Sequence, residues 1–282
     1  MTMSYGLMTA PMQVGYEDVL RVWREADEVE AFAHLWLFDH LMPIAGSQLG
    51  PAFEGWTLLS ALAAQTRHKD IGLLVTSNRF RPPAMLAKIA ATVDVVSGGR
   101  MVLGIGAGSR PGHPIARREY EAHGLPFHDQ ATAVSALGEA LEIITRLWTD
   151  DQPFDHHGEH YELTGAFANP KPLRRPPIVI GGRTAALLRV TARHADVWNI
   201  PGGDLEDAID RSATLDAFCQ EIGRPPSTIT RSMHLPVDYD HPDTTRTAIT
   251  TAQSAGFTHF TLGLTPPYPH HVAHWVAAEV LP

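Results

Sequence analysis

Short apolar runs alternate with amphipathic stretches of helical length along nearly the whole 282-residue chain. The runs at residues 5–9, 35–38, 71–75, 101–105, 178–180, 195–199, 231–237 and 259–262 read as strands. The stretches between them read as helices, among them residues 16–32, 56–66, 83–96, 131–148, 205–222, 244–255 and 270–280. In the first, Val19, Leu20, Trp23, Ala26 and Val29 fall on one face at a 3.6-residue period. Pro82 and Pro83 stand where a helix start tolerates proline, and Ser97-Gly98-Gly99-Arg100 is a stop signal for the same helix. Successive strand–helix units imply a parallel sheet, because each crossover needs its helix. Eight such units in one chain of this length imply an α/β fold closed into a (β/α)8 TIM barrel. No linker divides the chain, so the expectation is a single domain over residues 1–282. Insertions are expected at residues 109–129, after the fourth strand, and at residues 150–175, after the long helix that follows.

Charge narrows the partners. Lys and Arg number 22 against 31 Asp and Glu, a formal net charge of −9. That balance counts against nucleic acid and against an anionic membrane surface, both of which need clustered basic residues. The single cysteine, Cys219, excludes an intrachain disulfide and a Cys-rich zinc site, and it reads as a small apolar core residue. No apolar run nears the ~18 residues of a membrane span. The start of the chain lacks a basic stretch followed by an apolar core, so a cytoplasmic location is expected. The 16 histidines include the pairs His156-His157 and His270-His271, neither in an HExxH frame, and no metal site is expected.

In such a barrel the functional groups lie at the C-terminal ends of the strands. The second strand ends in Phe38-Asp39-His40, an ionisable pair placed for acid–base work, or an Asp capping a loop beside an ordinary hydrogen-bonded His. The third ends in Thr76-Ser77-Asn78, which either meets a ligand or makes a turn. The fourth ends in Gly104-Ile105-Gly106-Ala107-Gly108-Ser109, where alternate glycines allow close approach to the backbone. Its spacing fails the dinucleotide fingerprint. The fifth ends in Gly181-Gly182-Arg183-Thr184 before a helix, a frame that suits a phosphate, or a glycine turn with a Thr cap.

Taken in order, several stretches resemble the bacterial luciferase-like monooxygenase superfamily, and within it the deazaflavin branch that uses coenzyme F420. They are Trp36-Leu37-Phe38-Asp39-His40, Glu54-Gly55-Trp56-Thr57, Phe80-Arg81-Pro82-Pro83-Ala84, Gly104-Ile105-Gly106-Ala107-Gly108, Asn169-Pro170-Lys171-Pro172, Ile180-Gly181-Gly182 and Ala195-Asp196-Val197-Trp198-Asn199. The resemblance implies an oxidoreductase that passes a hydride between F420 and a small organic substrate at the barrel mouth. The alternative is an FMN-dependent monooxygenase using reduced flavin and oxygen. A non-catalytic flavin-binding barrel is the reading from another class. Either enzyme needs an external reductant, a reductase system or a donor substrate, and the family implies a homodimer.

Carried over by residue, the resemblance makes His40 and Asp39 catalytic. It assigns Asp39, Leu74, Thr76, Gly106, Ala107, Gly108, Gly181, Gly182, Arg183 and Thr184 to the cofactor. It implies a non-proline cis peptide at Leu73-Leu74. The branch's sugar-phosphate dehydrogenases carry a proton-donating Glu after the glycine strand. Here that position is Ser109, which makes the sugar-phosphate reaction an unfavoured expectation. On this reading Gly108→Val weakens cofactor binding in an intact fold, and Gly182→Asp sets a carboxylate against the cofactor phosphate. Phe53, Phe127, Phe154 and Tyr161, in the least family-like stretches, imply an apolar substrate pocket.

Overall fold

A computed structural model describes residues 2–109 and 115–282. Its barrel strands are β1 (Ser4–Thr9), β2 (His34–Leu37), β3 (Asp70–Leu73), β5 (Met101–Gly106), β8 (Ile178–Gly181), β9 (Val197–Pro201), β10 (Thr230–Pro236) and β11 (His259–Gly263). Each pairs in parallel with the next, and β11 returns to β1, so the sheet closes. The two-residue β4 (Thr76–Ser77) resumes the third strand after a break and pairs with β5. Helices α1 (Tyr16–Glu28), α2 (Gly55–Ala63), α3 (Pro83–Ser97), α5 (Gln130–Thr149), α6 (Ala185–His194), α7 (Leu205–Glu221) and α8 (Pro242–Ser254) fill the crossovers. The last helix, α9 (Val272–Trp275), widens into a π turn over Val276–Val280. No helix among the described residues is long and apolar enough to cross a membrane.

Alternation along the strands sorts the side chains. Leu35, Leu37, Ile71, Leu73, Leu103, Ile105, Ile178 and Ile180 join the main core between sheet and helices. Trp36, Val102 and Val179, at the intervening positions, form a second cluster inside the barrel. That interior also holds polar groups. The His34 and His259 rings stack at 3.9 Å, and Ser232 and Thr261 are fully buried. Glycines make the room. A Cβ at Gly72 would stand 2.5 Å from Trp36, one at Gly6 would overlap the His34 ring, and one at Gly263 would stand 2.6 Å from His234 Nε2.

Two elements depart from expectation. Helix α1 ends four residues early, because Val29 turns extended and lets Phe32 enter the core while Ala33 N–H joins Tyr5 C=O at 2.7 Å. The stretch 109–129, expected to be irregular, contains the helix α4 (Ala116–Ala122). Seven residues dominated by Arg, Glu and Ala carry too short an apolar pattern to announce a helix; Tyr120, fully buried, is its one large apolar anchor. After α5 the chain forms an antiparallel hairpin, β6 (Phe154–His157) with β7 (Glu162–Ala166).

Candidate active site

All eleven residues assigned from the sequence line one cavity of about 350 Å³ at the C-terminal ends of the strands. The loop after β2 brings Asp39 and His40; the break after β3 brings Leu74 and Thr76. Strand β5 and its exit bring Gly106, Ala107 and Gly108, and β8 with its exit brings Gly181, Gly182, Arg183 and Thr184. Phe38, Val75, Ser77, Phe80, Ser109, Gln130, Leu187 and Pro201 complete the wall.

Asp39 is buried, and its carboxylate is heavily engaged by the protein. Thr76 Oγ1 donates to Oδ2 at 2.5 Å, Arg81 Nη1 to the same oxygen at 2.6 Å, and Arg81 Nη2 to Oδ1 at 3.2 Å. Trp56 Nε1 donates to Thr76 Oγ1 at 3.2 Å. Arg81 also reaches Glu54, whose side chain caps α2 by accepting from Thr57 N at 2.6 Å. Burial pushes the Glu54 carboxyl up, but the Thr57 contacts and the Arg81 charge outweigh it and hold it below its ordinary value. Burial likewise disfavours the Arg81 charge, but its hydrogen bonds to Asp39 and the nearby Asp39 and Glu54 charges override it, so Arg81 is held above its ordinary value. Asp39 is thus the anchor of a positioning network. Arg81 and Glu54 stood in the quoted motifs, but a pairing 27 and 42 positions apart leaves no mark in sequence spacing.

His40 is matched with a residue that sequence reasoning missed. Its Nδ1 lies 3.0 Å from both carboxylate oxygens of Glu119, and Leu41 N–H donates to Glu119 Oε1 at 2.6 Å. Glu119 sits in α4 and has no exposed surface. Beside it Tyr120 meets Ser77 Oγ at 2.8 Å and packs on Phe80 and Phe127, each at 5.1 Å. Burial pushes the Tyr120 phenol up despite the Ser77 contact, which keeps it neutral.

The cis peptide bond lies at Leu74-Val75, one residue beyond the expected Leu73-Leu74. The barrel ladder accounts for the shift: Leu74 N–H still donates to Leu37 C=O at 2.7 Å, so the regular strand runs through that amide. Val75 then faces the glycine wall. A Cβ at Gly106 would approach Val75 Cγ2 at 3.0 Å, and one at Gly181 would approach Val75 Cγ1 at 3.1 Å.

Two glycines of the cavity wall are also crowded from the protein side. Gly108 has φ +92°, and a Cβ there would stand 2.5 Å from Tyr120 Oη and 2.7 Å from Ser77 Oγ. The position secures α4, so Gly108→Val should unseat that helix at a cost of about 1–3 kcal/mol. Urea titration checks this; an unchanged midpoint and slope would return Gly108 to the cavity alone. Gly182 has φ +137°, and a Cβ there would stand 2.2 Å from Leu187 Cδ2, so a substitution strains the backbone and displaces that side chain.

Thr184 caps α6, accepting from Leu187 N at 3.4 Å, and the first N–H groups of that helix have no intrahelical acceptor. Arg183 pairs with Asp207 at 3.2 Å. Its charge is therefore shared with a carboxylate.

The remaining candidates lie elsewhere. His156 bonds Glu139 at 2.9 Å, and Phe154 lies under the Arg146 guanidinium at 3.7 Å. Among the described residues, two groups bring possible metal-ligand atoms together, Glu25 with His271 and His274, and Asp27 with Glu28 and His68. In the first, Glu25 Oε1 already accepts from Ala273 N and His274 N. In the second, Asp27 accepts from the backbone of Arg67, His68 and Lys69. Tyr161 donates no wall to the main cavity; with Asn78 and Arg79 it lines a neighbouring one. Cys219 is buried in α7, and burial raises its thiol.

Residues 3–279 match the family described as luciferase-like monooxygenase. An uncharacterized protein of Mycobacterium tuberculosis is 35% identical over 175 residues, covering 62% of this chain and 57% of the relative. The match thus spans little more than half of that relative. An F420-dependent glucose-6-phosphate dehydrogenase of Microbacterium testaceum is 30% identical over 248 residues, 84% of this chain and 70% of the relative. A solved F420-dependent secondary alcohol dehydrogenase, in complex with an F420-acetone adduct, superposes with a TM-score of 0.85. That superposition covers 100% of both chains at 18% identity, a likeness of fold.

Proposed function

Because the chain belongs to the luciferase-like monooxygenase family, we propose that it is an oxidoreductase using coenzyme F420 to exchange a hydride with a small organic substrate. The observation that carries this reading is the convergence of His40, the Asp39–Thr76 pair, the glycine strand β5 and the β8 exit on one cavity. The residues present fit the cofactor. Gly106 and Gly181 keep open a space that side chains would fill, and Gln130 Oε1 is a buried acceptor at the wall with no partner among the described residues. The open N–H groups at the start of α6 suit the cofactor's phosphate.

Bound there, F420 supplies a two-electron hydride carrier. The chain's own groups do the rest. Val75, beyond the strand break, supports the cofactor against the glycine wall. Asp39, held by Arg81 and Thr76, keeps the β2 loop in place. His40, at the cavity edge, handles the substrate's proton. An external reductant or donor substrate completes the cycle, and a cytoplasmic, single-domain homodimer belongs to the same reading, by resemblance to the family.

Titration of the purified protein with F420, followed by cofactor fluorescence, tests the proposal. Saturable one-to-one binding is expected. Gly106→Val, which fills the space beside Val75, should weaken it about tenfold or more, a change of about 1.4 kcal/mol. Tight FMN binding with no response to F420 would replace this reading by the FMN-dependent monooxygenase. Binding of either without substrate-dependent bleaching would leave a non-catalytic barrel.

A further inference from the structure

His40 Nδ1 lies 3.0 Å from both oxygens of Glu119, and Leu41 N–H points at the same carboxylate from 2.6 Å. An ionised carboxylate only accepts, so the proton between the two side chains belongs to Nδ1. In the neutral ring Nε2 then carries a lone pair. His40 is the partly exposed member, with 24% of its side-chain surface open against 1% for Glu119, and it lines the cavity. Among the other carboxylates near the cavity, Asp39 is engaged by Arg81 and Thr76. The residue after the glycine strand is Ser109, a poor proton donor at neutral pH.

We propose that Glu119, delivered by α4, is the positioning residue that fixes His40 as a proton acceptor through Nε2. The substrate class that such a pair serves is an alcohol or its carbonyl partner. This rests on the hydride-transfer reading above. In the oxidative direction the alcohol's O–H proton passes to His40 Nε2 as its carbinol C–H leaves as hydride for the oxidised deazaflavin. A C=O bond forms, the substrate is oxidised and the deazaflavin is reduced. In reverse, Nε2–H returns the proton to the carbonyl oxygen. Glu119 stays ionised throughout and stabilises the imidazolium, as a carboxylate paired to a general-base histidine does.

Two measurements test it, and the first needs neither cofactor nor substrate. In the ¹⁵N-histidine-labelled protein, long-range ¹H–¹⁵N correlation should show His40, assigned by its loss in His40→Gln, with Nδ1 protonated and Nε2 bare at high pH. In Glu119→Gln the amide still accepts from Leu41 N–H but offers its own N–H to Nδ1, so the tautomer should invert or mix. An unchanged His40 tautomer overturns the proposal. The second measurement is turnover of a secondary alcohol with F420. Glu119→Gln should lower kcat about 10²–10³-fold while the F420 Kd stays within about twofold. A wild-type kcat overturns it; a loss confined to KM does so too. Glu119→Asp, which keeps the charge but not the reach, should lose kcat similarly and serves if the glutamine variant fails to fold. If F420 does not bind at all, the cofactor reading falls while the tautomer experiment still reports on the pair.

Discussion

Moving from pH 7 to pH 5 should remove about 4–6 kcal/mol of stability, a large part of what a domain usually has. Three histidines inside the barrel are the cause. Burial holds His234 and His259 down at about 4. Burial, with His259 beside it, holds His34 well below its ordinary value. The contacts agree with neutral rings. Trp36 Nε1–H donates to His34 Nδ1 at 2.6 Å, so that nitrogen cannot carry a proton. Asn199 Nδ2 donates to Ser232 Oγ at 2.8 Å, leaving the serine hydroxyl free to donate to His259 Nδ1 at 2.8 Å. In the unfolded chain each ring takes a proton near pH 6.5. Between that value and about 4 the unfolded state binds more protons than His234 and His259 do in the fold, so stability falls as pH falls, by about 1.4 kcal/mol per pH unit for each of those two rings, and His34 acts in the same direction. Above pH 6.5 the three contribute nothing. Urea unfolding at pH 7, 6 and 5 reads the slope directly. A flat profile would mean that the rings are protonated inside the barrel, and His34→Gln should flatten part of a real one.

Arg81→Met should cost about 3–5 kcal/mol. The side chain of Asp39 has no exposed surface, and only 12% of Arg81's is open, so the variant strands a carboxylate that Thr76 alone cannot satisfy. The double variant Arg81→Met with Asp39→Leu removes both charges and should recover much of the loss, because an apolar pair avoids the desolvation of two ions. Denaturant titrations of the two variants distinguish this from a packing effect. A single variant within about 1 kcal/mol of wild type would show the pair to be ordinary surface electrostatics.

The barrel was legible because its strands are written twice in the sequence. The positions facing the helices carry Leu, Ile and Trp, and each run is bounded by a helix of matching phase. The positions facing the lumen mix Gly, His, Ser and Trp, so the same strands looked shorter or less regular than they are. His34 and Asp70 were left outside their strands for this reason. The cavity wall was legible too, since strand ends are adjacent in a closed barrel whatever their sequence separation. Glu119 was not. It pairs across 79 positions from a short polar helix, and nothing local distinguishes it from Glu121 on the same turn, which is exposed. At Gly108 and Gly182 the crowding by Tyr120 and Leu187 was not legible, since a sequence cannot say which side of the backbone is packed.

Helix α4 holds its grip and its chemistry on neighbouring residues, Tyr120 on Ser77 and Glu119 on His40. The barrel itself contributes the histidine, on the loop after β2, and the glycine wall and anchoring hydroxyl at the ends of β5 and β4. The carboxylate that the histidine meets comes from outside the sheet, on α4. If Glu119 orients His40 as proposed, a change at that one position of α4 alters the histidine's proton while every barrel strand keeps its sequence.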